Sequence, residues 1–379
     1  MHLPIVIAPD SFKGSLTSSE AAKAMARGVQ KVLPEAELTL LPLSDGGEGL
    51  VESLVVASSG QLLEYEVTGP LGTPVTAKMG TLGDGKTAVI EMAEASGLIL
   101  VPEGERNPLV TTTFGTGELI SKALDLGCNH LIIGIGGSAT NDGGMGMAQA
   151  LGFRFFDAEG ELLGSGGGEL ARLARIDASR IDPRLHDVRI EVACDVNNPL
   201  TGPQGAAQIY GPQKGATPEM VEFLDAALAR YDLILQRDLN QDVGKVPGAG
   251  AAGGLGAGLM ALLNGKLVSG IELVLDVLGF DEKLQGAKLV LTGEGKFDAQ
   301  SAFGKVPMGV ARRAKGAGIP CVVVAGTVLP SAEILHGEGV TAFFSILNQP
   351  MSLQEAMEGA AQLVENQVAE VVRLFVAKN

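Results

Sequence analysis

Leu3-Pro4-Ile5-Val6-Ile7-Ala8-Pro9-Asp10-Ser11-Phe12-Lys13-Gly14-Ser15-Leu16-Thr17-Ser18-Ser19-Glu20 decides the fold. Leu3–Ala8 is short, β-branched and nearly all apolar, which suits a strand buried on both faces of a parallel sheet. A polar loop follows, Pro9 to Leu16. Thr17 and Glu20 then have capping-box spacing, and Ala21, Met25, Val29 and Val32 mark one face of a helix that stops at Pro34. The pattern repeats at once: Leu38–Leu43 reads as a strand, Ser44-Asp45-Gly46-Gly47-Glu48-Gly49 as a loop and Leu50–Ala57 as a helix. Strand, loop and helix twice over is a βαβα start.

The same rhythm returns near the other end. Lys288–Leu291 and Cys321–Ala325 read as strands, with a helix around Val306–Lys315 between them and a fifth strand at Ala342–Ile346. Ser352 and Glu355 repeat the capping-box spacing before one long helix with Met357, Val364, Val368, Val371 and Phe375 on a stripe. The middle differs. Val75–Met79 and Ala88–Met92 flank Gly83-Asp84-Gly85 as a hairpin would, and the strand runs Leu131–Ile135, Arg154–Phe156 and Glu191–Cys194 alternate with Gly-rich loops. The expectation is an α/β protein with a discontinuous parallel-sheet domain built from residues 1–72 and 285–379. A mixed α/β domain, 73–284, is inserted into it.

Composition narrows the function classes. The chain has 379 residues, 46% of them hydrophobic and 19% charged, so general disorder is excluded. Its net charge of −16, from 28 basic and 44 acidic residues, argues against a nucleic-acid binder. A phosphate site in such a chain needs lysines concentrated locally. Cys128, Cys194 and Cys321 are isolated, with no metal-site spacing, as reduced core thiols would be. No apolar run approaches the ~18 residues of a membrane span, and the first residues lack a signal-peptide pattern; a cytoplasmic protein without membrane partners is expected.

Two motifs mislead. Gly80-Thr81-Leu82-Gly83-Asp84-Gly85-Lys86-Thr87 matches the P-loop expression, but a strand pattern follows where a helix is required. Gly248-Ala249-Gly250-Ala251-Ala252-Gly253 has dinucleotide-loop spacing without a preceding strand, and reads as a close-packed helix start. Gly134-Ile135-Gly136-Gly137-Ser138-Ala139 is stronger, because a strand precedes it, a helix follows, and Asp157 ends the next strand. On that basis a nicotinamide-dependent oxidoreductase of a small hydroxy acid is the alternative reading. Against it, Ser138, Thr140, Asn141 and Asp142 crowd the loop with hydroxyls and a carboxylate, which suit a nucleoside triphosphate with Mg²⁺ at least as well.

Ligands of open parallel sheets bind at the carboxyl ends of the strands. Four of the five terminal-domain strands end in polar, Gly-rich loops: Asp10, Ser11 and Lys13; Asp45 and Glu48; Glu294, Asp298 and Lys305; Gly326 and Thr327. Each alone reads as a turn, but four on one sheet edge point to a site. Cys194-Asp195-Val196-Asn197-Asn198-Pro199 adds an Asp and two Asn after a strand, for a metal, a hydroxyl or a capped turn. Carboxylates, lysines and Gly-rich loops together make phosphoryl transfer plausible. A protein that only binds a sugar acid would not require so many carboxylates near lysines.

At this level the sequence resembles the bacterial type-1 glycerate kinases. The resemblance is carried by Asp10–Thr17, Ser44–Gly49, Gly136–Gly144, Cys194–Leu200, Gly211–Gly215, Pro247–Gly256 and Thr292–Gly295 with Asp298, Gln300, Ser301, Gly304 and Lys305. It runs in order over nearly the whole chain. It implies a flavodoxin-like (Rossmann-like) domain with an inserted domain, and ATP-dependent phosphorylation of D-glycerate, usually at the 2-hydroxyl. ATP and Mg²⁺ are then the expected cofactors, and the site is expected in the cleft between the domains. Chemistry suggests the roles. Asp195 is expected as the base, with Lys13 and Lys305 as the catalytic cations and Lys214 behind them. Asp45 and Asp298 are expected to hold the metal. Gly136, Gly137, Ser138, Thr140, Asn141, Lys214, Gly293 and Gly295 are placed on the nucleotide, and Asp10, Ser11, Asn197, Asn198, Gln300 and Ser301 on the substrate.

Overall fold

The computed structural model describes residues 3–44, 47, 49–302 and 304–377. The chain divides into two compact units, Met1–Asp45 with Ile271–Asn379, and Gly46–Gly270.

In the terminal unit five strands form one parallel sheet, in the order Val340–Ser345, Cys321–Ala325, Leu289–Thr292, Ile5–Ile7, Leu38–Leu40. Numbered along the chain, that is the flavodoxin-like order, whose switch point lies between the first and third strands. Here those are Ile5–Ile7 and Leu289–Thr292, paired Ile5 to Leu289 and Ile7 to Leu291. The central strands are buried throughout and apolar but for Thr292, because helices cover the sheet. Helix Ser18–Gln30 starts at a complete capping box between Thr17 and Glu20, and buries Ala21, Met25 and Val29 against Val364, Val368 and Val372 of helix Ala360–Val376. Glu365 pins the two helices by ion pairs to Arg27 at 2.7 Å and Lys31 at 2.6 Å. The C-terminal segment is two helices rather than the one expected. Leu353–Glu358, capped by Ser352, stops at Gly359, a poor helix former, before Ala360–Val376 begins.

The inserted unit is built on a six-stranded mixed sheet in the order Lys266–Val268, Arg189–Ala193, His130–Gly134, Thr87–Glu91, Pro74–Thr81, Gln61–Thr68. The first three pairings are parallel and the last two antiparallel. Helix Leu50–Ser58, which the sequence rhythm attaches to the terminal βαβα start, packs on this sheet instead. The P-loop look-alike is a hairpin turn, in which Asp84 Oδ1 accepts the amides of Lys86 and Thr87 at 2.8 and 2.9 Å. Among the described residues no helix is long and apolar enough to cross a membrane.

Three Gly-rich stretches lock together in this unit. Helix Ala251–Leu263 begins with Ala252, Gly253 and Gly254 in the left-handed region. Gly253 takes this form (φ +68°) where its backbone presses on the loop before helix Met145–Ala150: a Cβ there would sit 2.0 Å from the Thr140 carbonyl oxygen. Its own carbonyl accepts the Gly143 amide at 3.1 Å. Gly250 donates its amide to Asn198 O at 2.9 Å, which ties in the third stretch. Gly85 has a similar φ of +65° but open space around it. Gly85→Ala is therefore expected to cost about 1 kcal/mol, the left-handed penalty alone. Gly253→Ala adds a backbone clash and is expected to cost ~2 kcal/mol more. Thermal unfolding of the two variants checks this; equal midpoints would remove the close approach as the reason for the glycine.

Candidate active site

In the terminal unit all five strands run parallel, so their C-terminal loops share one edge. The loops flanking the switch point meet there. Asp10 donates its amide to Gly293 O at 2.9 Å, and a Cβ on Gly295 would lie 3.3 Å from the Lys13 amide nitrogen. Gly326 and Thr327 donate to the carbonyls of Glu294 and Gly295 at 3.1 and 3.0 Å, which adds the loop after Cys321–Ala325. Lys13 stands exposed in the turn Phe12–Leu16. Ser11 donates its amide to Asp10 Oδ1 at 2.6 Å.

Glu294 is 5% exposed, and its oxygens accept from Ser301 Oγ at 2.5 Å and Lys305 Nζ at 3.3 Å. Burial pushes its carboxyl above the ordinary value, against the pull of Ser301 and Lys305. Asp298, also buried, pairs with Lys296 Nζ at 2.9 Å and donates its backbone amide to Ser301 Oγ at 3.2 Å. Gln300 lies in the same 3-10 turn, Ala299–Ala302. Lys305 is the residue before helix Val306–Gly316. Of the residues expected at this edge, the structure gathers Asp10, Ser11, Lys13, Gly293, Gly295, Asp298, Ser301 and Lys305. Asp45 lies outside the described residues. Among those described, no group of three or more His, Cys, Asp or Glu could hold a metal on its own. Glu294 and Asp298 nonetheless fit Mg²⁺, which takes one or two carboxylates from the protein and completes its shell with water and phosphate oxygens.

The second cluster belongs to the inserted unit. It lies at the carboxyl ends of the parallel neighbours His130–Gly134 and Arg189–Ala193. Gly136 and Gly137 are exposed, Gly137 with φ +75°, and Ser138 to Asp142 are buried. Leu98 N to Gly137 O (2.8 Å) and Ala139 N to Ser96 O (2.9 Å) fix the loop from one side. Lys214, 1% exposed, holds it from below, donating to Ser138 Oγ and Thr140 O at 2.7 Å each. Burial pushes its ammonium down to about 7, with the Asp142 charge opposing. Thr140 Oγ1 and both polar atoms of the Asn141 amide are buried without a hydrogen-bond partner. The place of Thr140, Asn141 and Lys214 is thus beneath the loop, and what it shows to solvent is Gly136 and Gly137.

Asp142 is wholly buried and accepts from Thr113 N and Oγ1 at 2.8 Å each, Gly144 N at 3.1 Å and Gly146 N at 3.2 Å. Burial raises its carboxyl, and those four donors act against it. Thr111 adds a bond to Ala139 O at 2.9 Å. The sequence does not mark the run Thr111-Thr112-Thr113 as part of a site; three hydroxyls just ahead of a helix are its only local signal. Asp195 is exposed, and its Oδ1 accepts from Ser269 Oγ at 3.1 Å and Gly270 N at 3.0 Å. Asn197 is exposed. Asn198 spends its amide on Gln204 O (2.8 Å) and the Tyr210 hydroxyl (2.7 Å), so it braces the loop.

The chain matches the model of the glycerate kinase family over residues 5–376. It belongs to that family. A glycerate kinase of Halalkalibacterium halodurans is 52% identical over 95% of each chain, and a glycerate 2-kinase of Escherichia coli K12 is 52% identical over 94% of each. A crystal structure from Salmonella typhimurium LT2, described as a glycerate kinase 2, superposes with a TM-score of 0.89 at 49% identity, over 99% of each chain. The chain is therefore a kinase, and the oxidoreductase reading fails. Its geometry fails as well. Arg154–Phe156 pairs with Arg175–Asp177 in a separate small sheet instead of lying beside His130–Gly134, and Asp157 is bound by Arg172 and by its own turn.

Lys214→Met keeps most of the side-chain volume but leaves Ser138 Oγ and the buried Thr140 carbonyl without their donor. It is expected to cost ~1–3 kcal/mol of stability. Chemical denaturation checks it; a wild-type midpoint would deny the clamp.

Proposed function

We propose that the chain moves the γ-phosphoryl group of ATP to the 2-hydroxyl of D-glycerate to give 2-phosphoglycerate. The observation that carries this is the terminal edge, where Lys13, Lys296 and Lys305 and two buried carboxylates gather at the switch-point loops. In a chain of net charge −16, cations collected at one sheet edge favour phosphate and carboxylate ligands. The family and its relatives support glycerate as acceptor; the choice of hydroxyl follows the Escherichia coli relative's name.

In this reading Lys13, exposed and next to the Gly293–Gly295 backbone, faces the phosphates. Lys305, at the start of its helix, adds charge beside the backbone N–H groups there. Gly136 and Gly137 offer a side-chain-free approach to the nucleotide. Asp10, Ser11 and Asn197 meet the glycerate. Mg²⁺, held through Asp298 with Glu294 beside it, would neutralise charge on the phosphates. Asp195, oriented by Ser269 and Gly270, accepts the hydroxyl proton as the glycerate oxygen bonds to phosphorus and the bond to the departing ADP oxygen breaks.

Detection of ADP with D-glycerate, L-glycerate, tartronate and glycerol tests the acceptor, and NMR of the product tests the hydroxyl. D-glycerate is expected to be the best acceptor and EDTA to stop turnover. Turnover of another alcohol with none of D-glycerate would discard the assignment. Asp195→Asn is expected to lower kcat ~100-fold at every Mg²⁺ concentration, whereas Asp298→Asn is partly rescued by excess metal. The reverse pattern would exchange the roles. Lys13→Ala and Lys305→Ala should each lower kcat/KM at least ~10-fold.

A further inference from the structure

Glu91 ends strand Thr87–Glu91 of the inserted unit, in register with Gly134, where the Gly136 loop begins. Only 8% of it is exposed. Its Oε1 accepts the Val51 amide at 2.8 Å, and the Gly49 backbone also favours its charged form. Both residues belong to the start of helix Leu50–Ser58, where the Ser44–Gly49 motif ends. That motif touches the Gly136 loop: a Cβ on Gly136 would lie 3.4 Å from Gly47 Cα. One buried carboxylate thus stands under the contact of two Gly-rich motifs.

The charges around it do not explain its presence. Glu52 of the helix and Glu94 beyond the strand both act on it, and both are acids. On the neighbouring strands, Lys78 gives its backbone amide to Glu94, and His130, at the far end, pairs with Glu191. Burial first, and then these acids, push the Glu91 carboxyl up to about 7, against the pull of Val51 and Gly49. Ionising it costs the fold stability that a neutral amide would not lose. Holding a turn by its N–H groups is what the charged form does better, since bonds to a carboxylate are about twice as strong as neutral ones.

We propose that Glu91 is a positioning residue for the kinase reaction, whose ionised carboxylate holds the backbone at Gly49 and Val51, and so Gly47, against the Gly136 loop. This rests on the assignment of that loop to the nucleotide. The folded value stands above the ordinary 4.5, so the native chain keeps a proton that the unfolded chain releases. Glu91's contribution to stability is therefore full below about 4.5, falls as pH rises, and is lost above about 7.

The test has two arms. Without substrate, amide exchange at Gly49 and Val51 in the unmodified chain, corrected for intrinsic rate, should slow in one step as pH rises through about 7. No step would overturn the proposal whatever the protein phosphorylates. In the second arm Glu91→Gln should raise the unfolding midpoint more at pH 8 than at pH 5.5. The same variant should lower kcat about 10-fold or more at pH 8, with the acid limb of the rate profile gone; Glu91→Asp should recover part of that limb. A Glu91→Gln enzyme with wild-type kcat and pH profile would reduce Glu91 to a helix cap and refute the role. If that variant does not fold, the exchange step decides alone.

Discussion

A carboxylate removed from water must be met by donors, and in the inserted unit Asp142 is met by four. Uncompensated, its burial would be prohibitive; compensated, it draws Thr113, Gly144 and Gly146 to one point and fixes the path between strand His130–Gly134 and helix Met145–Ala150. The other features of that cluster depend on this path. Lys214 finds Ser138 and Thr140 within reach only because the loop is held there, and Gly253 presses its backbone into the same bend. The exposed Gly136–Gly137 tip is what remains when everything beneath it is tied. The terminal unit uses the complementary device, in which lysines meet the carboxylates of Glu294 and Asp298.

What the sequence makes legible follows from what is local. Buried parallel strands are continuous apolar runs, so Ile5–Ile7, Leu289–Thr292 and Cys321–Ala325 stand out, as do the capping boxes at Thr17 and Ser352. Helix Leu50–Ser58 is also legible as a helix, but its owner is not. The strands it covers come later in the chain, and proximity in sequence assigned it to the wrong sheet. The stripe from Met357 to Phe375 reads as one helix, yet the helix breaks at Gly359.

The site divides the same way. Gly-rich polar loops after strands announce themselves, and both clusters were built from them. Burial does not. Lys214 reads as a cation beside a glycine, and nothing in its neighbours tells that its ammonium is spent inside. Neither Glu91 nor Thr111–Thr113 carries a local signal that its polar groups are buried. Asp157 has the spacing of a dinucleotide site, but its strand left the main sheet, which spacing cannot reveal.

The interleaving of the two units also sets an order of assembly during synthesis. Ile5 pairs with Leu289, so the first strand emerges from the ribosome some 284 residues before the strand that must lie beside it in the middle of the sheet. The inserted unit, in contrast, is a single uninterrupted stretch, Gly46–Gly270. Domains fold as units as they emerge. The second unit thus becomes native first, while the leading βα segment waits with one flank of its apolar strand unpaired. Slow translation before residue 289 would lengthen that wait, and it is there that chaperone dependence and aggregation of this protein should concentrate.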